Sequence, residues 1–453
     1  MFRFLFSDKK FYRTLVVLAL PILVQNFLAS SLNMVDTLMI GRLGDNEVAA
    51  VGIANQFFFL FNLVGNGAAA GCSIFISQYW GQKDAASIKR VLGFGFFVNL
   101  AIGLIFTLTA LLIPRLIITL FNRQAVVIDL GEGYLRIVCL SYVFTGVTFL
   151  LANALRSVGQ AAVPMLVSLA AVLTNAGLNW VFIFGKLGAP AMGVRGAALA
   201  TLIARVLETA LLLALAFRRG SPYRGRLAEF LGFGKELSRK VLGAMGPVVL
   251  NEGCWALGFM LYTVAYGFIG DGTRAIAASQ IYNSIQNLFM VLCFSMASAS
   301  LVMIGNRIGA GEEADAKAYA RRFTGLAVLV GLVVGAAVIV SAPFILSFFN
   351  SSDEVRRAAV AMLRIFGTVL PVRMMNVVLI VGVFRGGGDA AFGLKVEAGT
   401  MWLIGVPLAF FGALVLGWPV ELVALLVTAE EAAKCAFALV RLHSDKWVRN
   451  MTA

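Results

Sequence analysis

Apolar positions in this chain run in long unbroken stretches and do not alternate with polar ones. Six such stretches lie near 15–40, 48–79, 91–120, 130–153, 164–184 and 194–217. A polar, basic segment follows at 218–240. Six more stretches lie near 241–268, 281–304, 324–349, 360–384, 394–416 and 420–441. A helix needs about 20 mostly apolar residues to cross the roughly 30 Å hydrocarbon layer. The pattern therefore predicts an all-α polytopic membrane protein with twelve transmembrane helices. A β-barrel would show short segments alternating at period two, which these runs do not. The polar segment divides the chain into an N-terminal lobe, 1–217, a cytoplasmic linker, 218–240, and a C-terminal lobe, 241–453.

The two lobes repeat one another. Pro21 and Pro247 lie early in the first and seventh runs, 226 residues apart. The same offset maps Gln25 to Asn251, and Leu43-Gly44-Asp45 to Ile269-Gly270-Asp271. Tyr79-Trp80-Gly81 faces Arg307-Ile308-Gly309 at offset 228, and Leu155-Arg156-Ser157-Val158-Gly159-Gln160 faces Phe384-Arg385-Gly386-Gly387-Gly388-Asp389 at 229. Loop insertions account for that drift. An even number of spans per half keeps both copies in one orientation, so the lobes are expected to be pseudo-symmetric about the membrane normal.

Composition narrows the class further. Hydrophobic residues make up 60% and charged residues 13% of 453, against about 25% charged in soluble domains. A soluble enzyme and a disordered chain are both excluded. The net charge of +14 falls in membrane-flanking loops. Arg3, Lys9, Lys10 and Arg13 precede the first run, and Lys83, Lys89 and Arg90 follow the second. Lys and Arg crowd 218–240, and Arg307, Lys317, Arg321, Arg322, Lys446 and Arg449 complete the set. All lie on one side if both termini are cytoplasmic. Such scattered charge does not suit a nucleic-acid footprint. The first run is too long for the apolar core of a signal peptide. The cysteines Cys72, Cys139, Cys254, Cys293 and Cys435 are expected to be buried thiols without disulfide or metal roles. His443, the single histidine, reads as an interfacial residue. No catalytic constellation and no P-loop appears, so the protein is expected to be no enzyme, to need no cofactor, and to draw on an ion gradient.

Charged groups within spans are functional candidates, because each costs at least about 2.5–3.5 kcal/mol to insert. Asp36 and Glu252 stand apart, since neither has a basic residue within one helical turn in the sequence. Glu208 has Arg205 at i−3, and Glu430 and Glu431 have Lys434 at helical spacing, so local pairing accounts for these. Asp389 and Glu397 lie near span edges. Asn175 and Asn179, at i and i+4, share one face of the fifth span. They either join Asp36 in holding Na⁺ or a protonated carboxylate, or serve as interhelical hydrogen bonds. Pro21, Pro247 and Pro407 lie inside spans, where each frees a carbonyl and permits a bend.

Together these residues resemble a known family. Val35-Asp36-Thr37 with Gly41-Arg42-Leu43-Gly44 resembles the first-span motif of the multidrug and toxic compound extrusion (MATE) transporters. Leu155–Gln160, Asn175–Gly185, Gly193–Thr201, Arg385–Asp389 and Gly405-Val406-Pro407 resemble their later motifs, in order along the whole chain. The resemblance implies a monomer in the cell (inner) membrane that exports organic, mostly cationic amphiphiles in exchange for H⁺ or Na⁺. It implies Asp36 as the coupling carboxylate, with Asn175, Asn179 and Thr201 as neighbours, and adds Glu252 and Asp389 in the C-terminal lobe. One branch of the family has Asp where this chain has Asn179. Glu252 also lies about one turn nearer Pro247 than in one bacterial branch. An alternative is a lipid-linked oligosaccharide flippase of the same broader superfamily. That would need basic residues in the cavity, where the mid-span positions here carry acids.

Overall fold

The computed structural model describes residues 8–270, 272–349 and 351–452, without the side chains of residues 32 and 33. Asp271, the last residue of the second triplet above, and Arg3 lie outside the described residues. Twelve helical rods follow one another among the described residues. They are α1 (Lys9–Gly41), α2 (Asp45–Gln82), α3 (Ala85–Leu112) and the bent α4 (Ala125–Val138 with Leu140–Ser157). Next come α5 (Ala162–Phe184), α6 (Val194–Ala216), α7 (Lys235–Gly267) and α8 (Gly272–Gly309). The last four are α9 (Glu313–Ser347), α10 (Asp353–Val377, continued by Val378–Phe384), α11 (starting at Ala390–Thr400) and α12 (Val420–Val427 with Ala429–His443). Short helices Pro114–Thr119 and Leu227–Leu231 lie in connections. No strand occurs among the described residues.

Among the described residues, ten rods are long and apolar enough to cross a membrane, and the bent α4 makes eleven. The twelfth carries Glu421, Glu430, Glu431 and Lys434, which dilute its hydropathy. Large apolar side chains such as Leu112, Val340 and Leu403 are exposed along the rods. Lipid contact explains such exposure, which water would penalise.

The chain divides into two compact units. One comprises residues 20–249, and the other joins residues 1–19 to 250–453. In the first unit, Phe61 stacks on Tyr142 at 5.0 Å between centroids, with Phe57, Phe58, Phe106 and Phe149 around them. The α4 bend of 48° falls at Cys139. The Cys139 carbonyl accepts from the Thr107 hydroxyl at 2.8 Å, so the interrupted helix leaves no orphan acceptor there. In the second unit, a Cβ on Gly335 would collide with the Gly367 carbonyl oxygen, and one on Gly331 would lie 2.5 Å from Pro371 Cα. Helices α9 and α10 therefore cross backbone to backbone, which only small residues allow.

The second unit also anchors the start of α1. Phe11 is fully buried and packs edge-on against Tyr319 and Phe323, each at 5.0 Å. Arg322 Nη1 lies 2.6 Å from Asp8 Oδ2. The Phe11 N–H donates to Asp8. Together with Arg322 it holds the Asp8 carboxyl below its usual range, against the opposing effect of burial. Asp84 caps α3 by accepting from the Ser87 N–H at 3.0 Å. Burial pushes its carboxyl up, but hydrogen bonds from Ser87 and Ala86 and the charge of Arg90 bring it below the usual value.

Candidate functional site

The site in the first unit forms where α1, α5 and α6 meet. Helix α5 ends at Gly185, whose φ of 67° is left-handed, a conformation that favours glycine. A short link leads to α6, where a Cβ on Gly196 would lie 2.5 Å from the Phe182 carbonyl oxygen. Ala197, Ala198, Ala200 and Ala204 are buried along the same helix. This small-residue approach brings Thr201 of α6 against Asn175 of α5, at 3.3 Å.

Asp36 completes the group from α1. Asn179 Nδ2 donates to its Oδ1 at 2.6 Å. The Asn175 amide is assigned from its hydrogen bonds. Its oxygen accepts from the Thr201 N–H and hydroxyl at 3.3 Å, and its nitrogen donates to Asp36 Oδ1 at 3.0 Å. The i, i+4 spacing of the two asparagines thus delivers two donors to one carboxylate. Among the described residues no cation lies within salt-bridge distance of Asp36. Asn179 Oδ1 is buried without a partner. A carboxylate and an unpaired amide oxygen side by side form a polar niche for a small cation or a proton.

This niche opens on a cavity of about 450 Å³ lined by Phe58, Phe59, Asn55, Asn62, Tyr134 and Arg205, among others. That volume lies in the range of small-molecule sites. Arg205 is itself ion-paired, its Nη1 lying 2.6 Å from Glu208 Oε2, as the i, i+3 spacing predicted. Glu208 Oε1 accepts from the Ser168 hydroxyl, and Ser168 Oγ accepts from Gln25 Nε2. Arg156 Nη2 in turn donates to Gln25 Oε1 at 2.5 Å.

The second unit repeats that last contact with different chemistry. Arg385, which the repeat aligns with Arg156, lies 2.8 Å from Glu252 Oε1. Glu252 follows Asn251, the counterpart of Gln25. In each unit, then, the same arginine ties down the opening half of the repeat, through an amide in one and a carboxylate in the other. Glu252 has no basic neighbour along its helix, but it has one across the fold. Asp389 is also paired: Arg441 Nη2 lies 2.7 Å away and Arg449 Nη2 3.3 Å away, and Asp389 is 1% exposed. Pro21 and Pro247 lie inside α1 and α7. Pro407 lies in a short α-helical segment, Val406–Phe410, between wider π-helical turns at Met401–Gly405 and Phe411–Val415.

Sequence reasoning did not foresee a second polar cavity, in the second unit. Its lining includes Asn251, Tyr262, Arg373, Asn376, Glu397 and the α12 triplet Glu430, Glu431 and Lys434. The Tyr262 hydroxyl donates to Glu430 Oε2. A Cβ on Gly405 would collide with both of these groups, so the π-helical turn admits them by carrying no side chain. The spacing within α12 announced the local pairs. Only the fold adds Arg373 and Glu397.

An all-helical fold of repeated lipid-facing rods, with a polar niche and cavity inside a unit, defines the class of polytopic membrane transporters. The MatE family model matches residues 21–181 and again 247–411, each match starting at one of the repeat prolines. The chain belongs to the MatE family. A Bacillus subtilis protein described as the uncharacterized transporter YisQ is 26% identical over 449 residues, 98% of this chain and 96% of that one. A Listeria monocytogenes protein described as the probable multidrug resistance protein NorM is 27% identical over 395 residues, 86% and 85% of the two chains. Two solved transporters share the fold. One, of the MOP superfamily from Pyrococcus furiosus, has a TM-score of 0.87 at 20% identity, covering 98% of both chains. The other, a mutant of a Vibrio cholerae MATE transporter, also has a TM-score of 0.87 at 20% identity, covering 97% of this chain and 98% of its own.

Proposed function

We propose that this protein is a secondary active antiporter that exports organic, mostly cationic amphiphiles in exchange for H⁺ or Na⁺ across the cell membrane. Both termini would be cytoplasmic, and the working unit would be a monomer surrounded by lipid. The observation that carries the reading is Asp36, a carboxylate without an ion partner at the edge of an aromatic-lined cavity. The relatives named as multidrug resistance proteins support the substrate class.

The cycle follows from electrostatics. Ionised Asp36, held by two amide donors, attracts a cation in a setting where water screens poorly. An organic cation in the cavity gains from that charge and from the faces of Phe58 and Phe59. A proton or Na⁺ arriving from outside neutralises Asp36, with the unpaired Asn179 oxygen as a further ligand for Na⁺ or an acceptor for a carboxyl O–H, and Thr201 fixing the Asn175 amide beside it. The organic cation then loses its counter-charge and leaves. Pro21 on α1 gives the helix that carries Asp36 a place to change its bend, with Pro247 and Pro407 as its counterparts in the second unit. Glu252 and Asp389 enter this scheme as ion-paired groups that stabilise the second unit.

The test is ethidium movement in liposomes holding the purified protein, driven by a proton gradient or a sodium gradient separately. We expect movement under one gradient, lost in Asp36→Asn at equal protein incorporation. Undiminished movement in the variant would sink the role of Asp36. No movement of ethidium under either gradient would remove the organic-cation reading and turn attention to anionic or lipid-linked substrates.

A further inference from the structure

A hollow of about 240 Å³ lies on the exposed side of α9 and α10, lined by Pro343, Arg356, Arg357, Val360, Ala361 and Arg364. Arg357 and Arg364 are both exposed on α10, and their i, i+7 spacing puts them on one face. The half-buried Ala361 lies between them on that face, and its short side chain leaves the space. Two of the three arginines lack a counter-charge. Arg356 is ion-paired with Asp353, one turn before it. Glu354 is held by Arg274 from α8. Arg357 Nε reaches only the Asp353 carbonyl oxygen, at 3.3 Å. Among the described residues no carboxylate lies within salt-bridge distance of Arg357 or Arg364. Arg364 stands eleven residues into α10 from Asp353, a rise of roughly 16 Å. An unpaired guanidinium at that depth is costly unless it reaches the membrane edge or meets an anion.

The first unit holds the same place in a different chemical state. Phe121 and Leu135-Arg136-Ile137 recur as Phe349 and Leu363-Arg364-Ile365, all at offset 228. In the first copy Arg136 Nη2 lies 2.8 Å from Glu132, and Arg115 lies 2.9 Å from Asp129 and 3.5 Å from Glu132. Two arginines and two carboxylates cancel there. The offset that maps Arg136 to Arg364 maps Asp129 to Arg357 and Glu132 to Val360. The second copy thus keeps the arginine, loses both acids and gains a second cation.

The surroundings say what anion fits. Val340, Phe344 and Phe348 of α9 are 81%, 67% and 74% exposed beside Pro343. Val333, also exposed, continues their face deeper along α9. A cationic pair thus stands near the start of α10 with an apolar stripe running inward from it, which matches the head and tail of a lipid. Guanidinium groups meet phosphate oxygens in bidentate geometry. A zwitterionic headgroup would bring an ammonium that two uncompensated guanidiniums repel, whereas an anionic headgroup brings none. We propose that this hollow seats the phosphate of an anionic phospholipid between Arg357 and Arg364, with an acyl chain along the α9 stripe. The site does not rest on the reading of Asp36.

The test is native mass spectrometry of the full-length protein in detergent, titrated with phosphatidylglycerol or phosphatidylcholine. We expect phosphatidylglycerol to bind more tightly. Its affinity should fall about tenfold in Arg364→Gln, as loss of a charge-assisted hydrogen bond implies. It should fall as much in Val360→Glu, which restores the first unit's acid one turn before the arginine. Arg136→Gln removes the same charge from the paired network and should leave binding unchanged. Arg364 is exposed and Val360 half-buried, so both variants should keep the parent's thermal midpoint. Equal affinity for the two lipids would overturn the anionic assignment. Affinity unchanged in both α10 variants, or lowered equally in Arg136→Gln, would overturn the site. Displacement of phosphatidylglycerol by an equal concentration of inorganic phosphate would overturn the lipid and give the hollow to a soluble anion. Binding is read without transport, so failure of the ethidium experiment leaves this one interpretable.

Discussion

At the scale of single residues, one contrast governs the reading: some acids inside this protein have cations and one has amides. Asp36 faces Asn179 and Asn175, whereas Glu252 faces Arg385 and Asp389 faces two arginines. In the proposed cycle the first exchanges its counter-charge, and the others stay paired. Asn179→Leu should remove the 2.6 Å donor and the unpaired oxygen together. We expect its apparent affinity for the coupling ion in the ethidium assay to fall about tenfold, as about 1.4 kcal/mol for one charge-assisted hydrogen bond implies. Glu252 offers a complementary prediction. Glu252→Gln keeps an acceptor for Arg385, as Gln25 does for Arg156, and its thermal midpoint should stay near that of the parent. Glu252→Leu leaves a buried guanidinium unpaired, and should cost up to about 3–5 kcal/mol, less in proportion to the partial exposure of Glu252. Equal midpoints for the two variants would argue that the pair contributes nothing. That Asp36 lacks an ion pair along its own helix was legible in the sequence, because no base stood within a turn of it. The pairing of Glu252 was not, because its partner lies 133 residues away and only helix packing brings the two together.

At the scale of elements, the apolar runs located the rods well, since length and hydropathy are local properties. The interruptions were harder to read. The α4 bend occurs without proline or glycine at Cys139, and the Thr107 hydroxyl that meets its carbonyl comes from another helix, which no pattern along α4 reveals. The π-helical turns beside Pro407 likewise accommodate Tyr262 and Glu430 from other rods. Two predictions belong at this scale. Gly335→Leu would force α9 from α10 and should lower stability by about 1–3 kcal/mol, read as a fall in thermal midpoint in detergent. Asp8 and Asp84 give a pH signature. Both carboxyls are held below their usual value, so their contribution is full above the unfolded value of about 3.9 and is lost as pH falls through the lower folded value. Thermal midpoints measured downward from about pH 6 should therefore fall below about pH 4. Replacing both residues with Asn should flatten that fall while lowering the midpoint at about pH 6. An unchanged slope would show that other carboxylates govern acid sensitivity.

At the scale of the whole molecule, the repeat was legible because prolines, glycines and one arginine recur in order, and the two family matches fall on it. The compact units, however, divide the chain at 19 and 249, within two residues of Pro21 and Pro247, and not at the polar segment 218–240. The opening turns of α1, with Phe11 sealed against Tyr319 and Phe323 and Asp8 held by Arg322, belong to the unit built mostly from residues 250–453. The opening half of α7 belongs to the other. A gene cut in two within 218–226 would therefore yield a pair of fragments, each carrying a structural part that the other requires. Expressed singly, each should be degraded, with Phe11 lacking its aromatic seat in one and 235–249 lacking their neighbours in the other. Expressed together, they should accumulate as a matched couple, the reciprocal gift of helix ends serving as the lock that makes two halves one heritable unit.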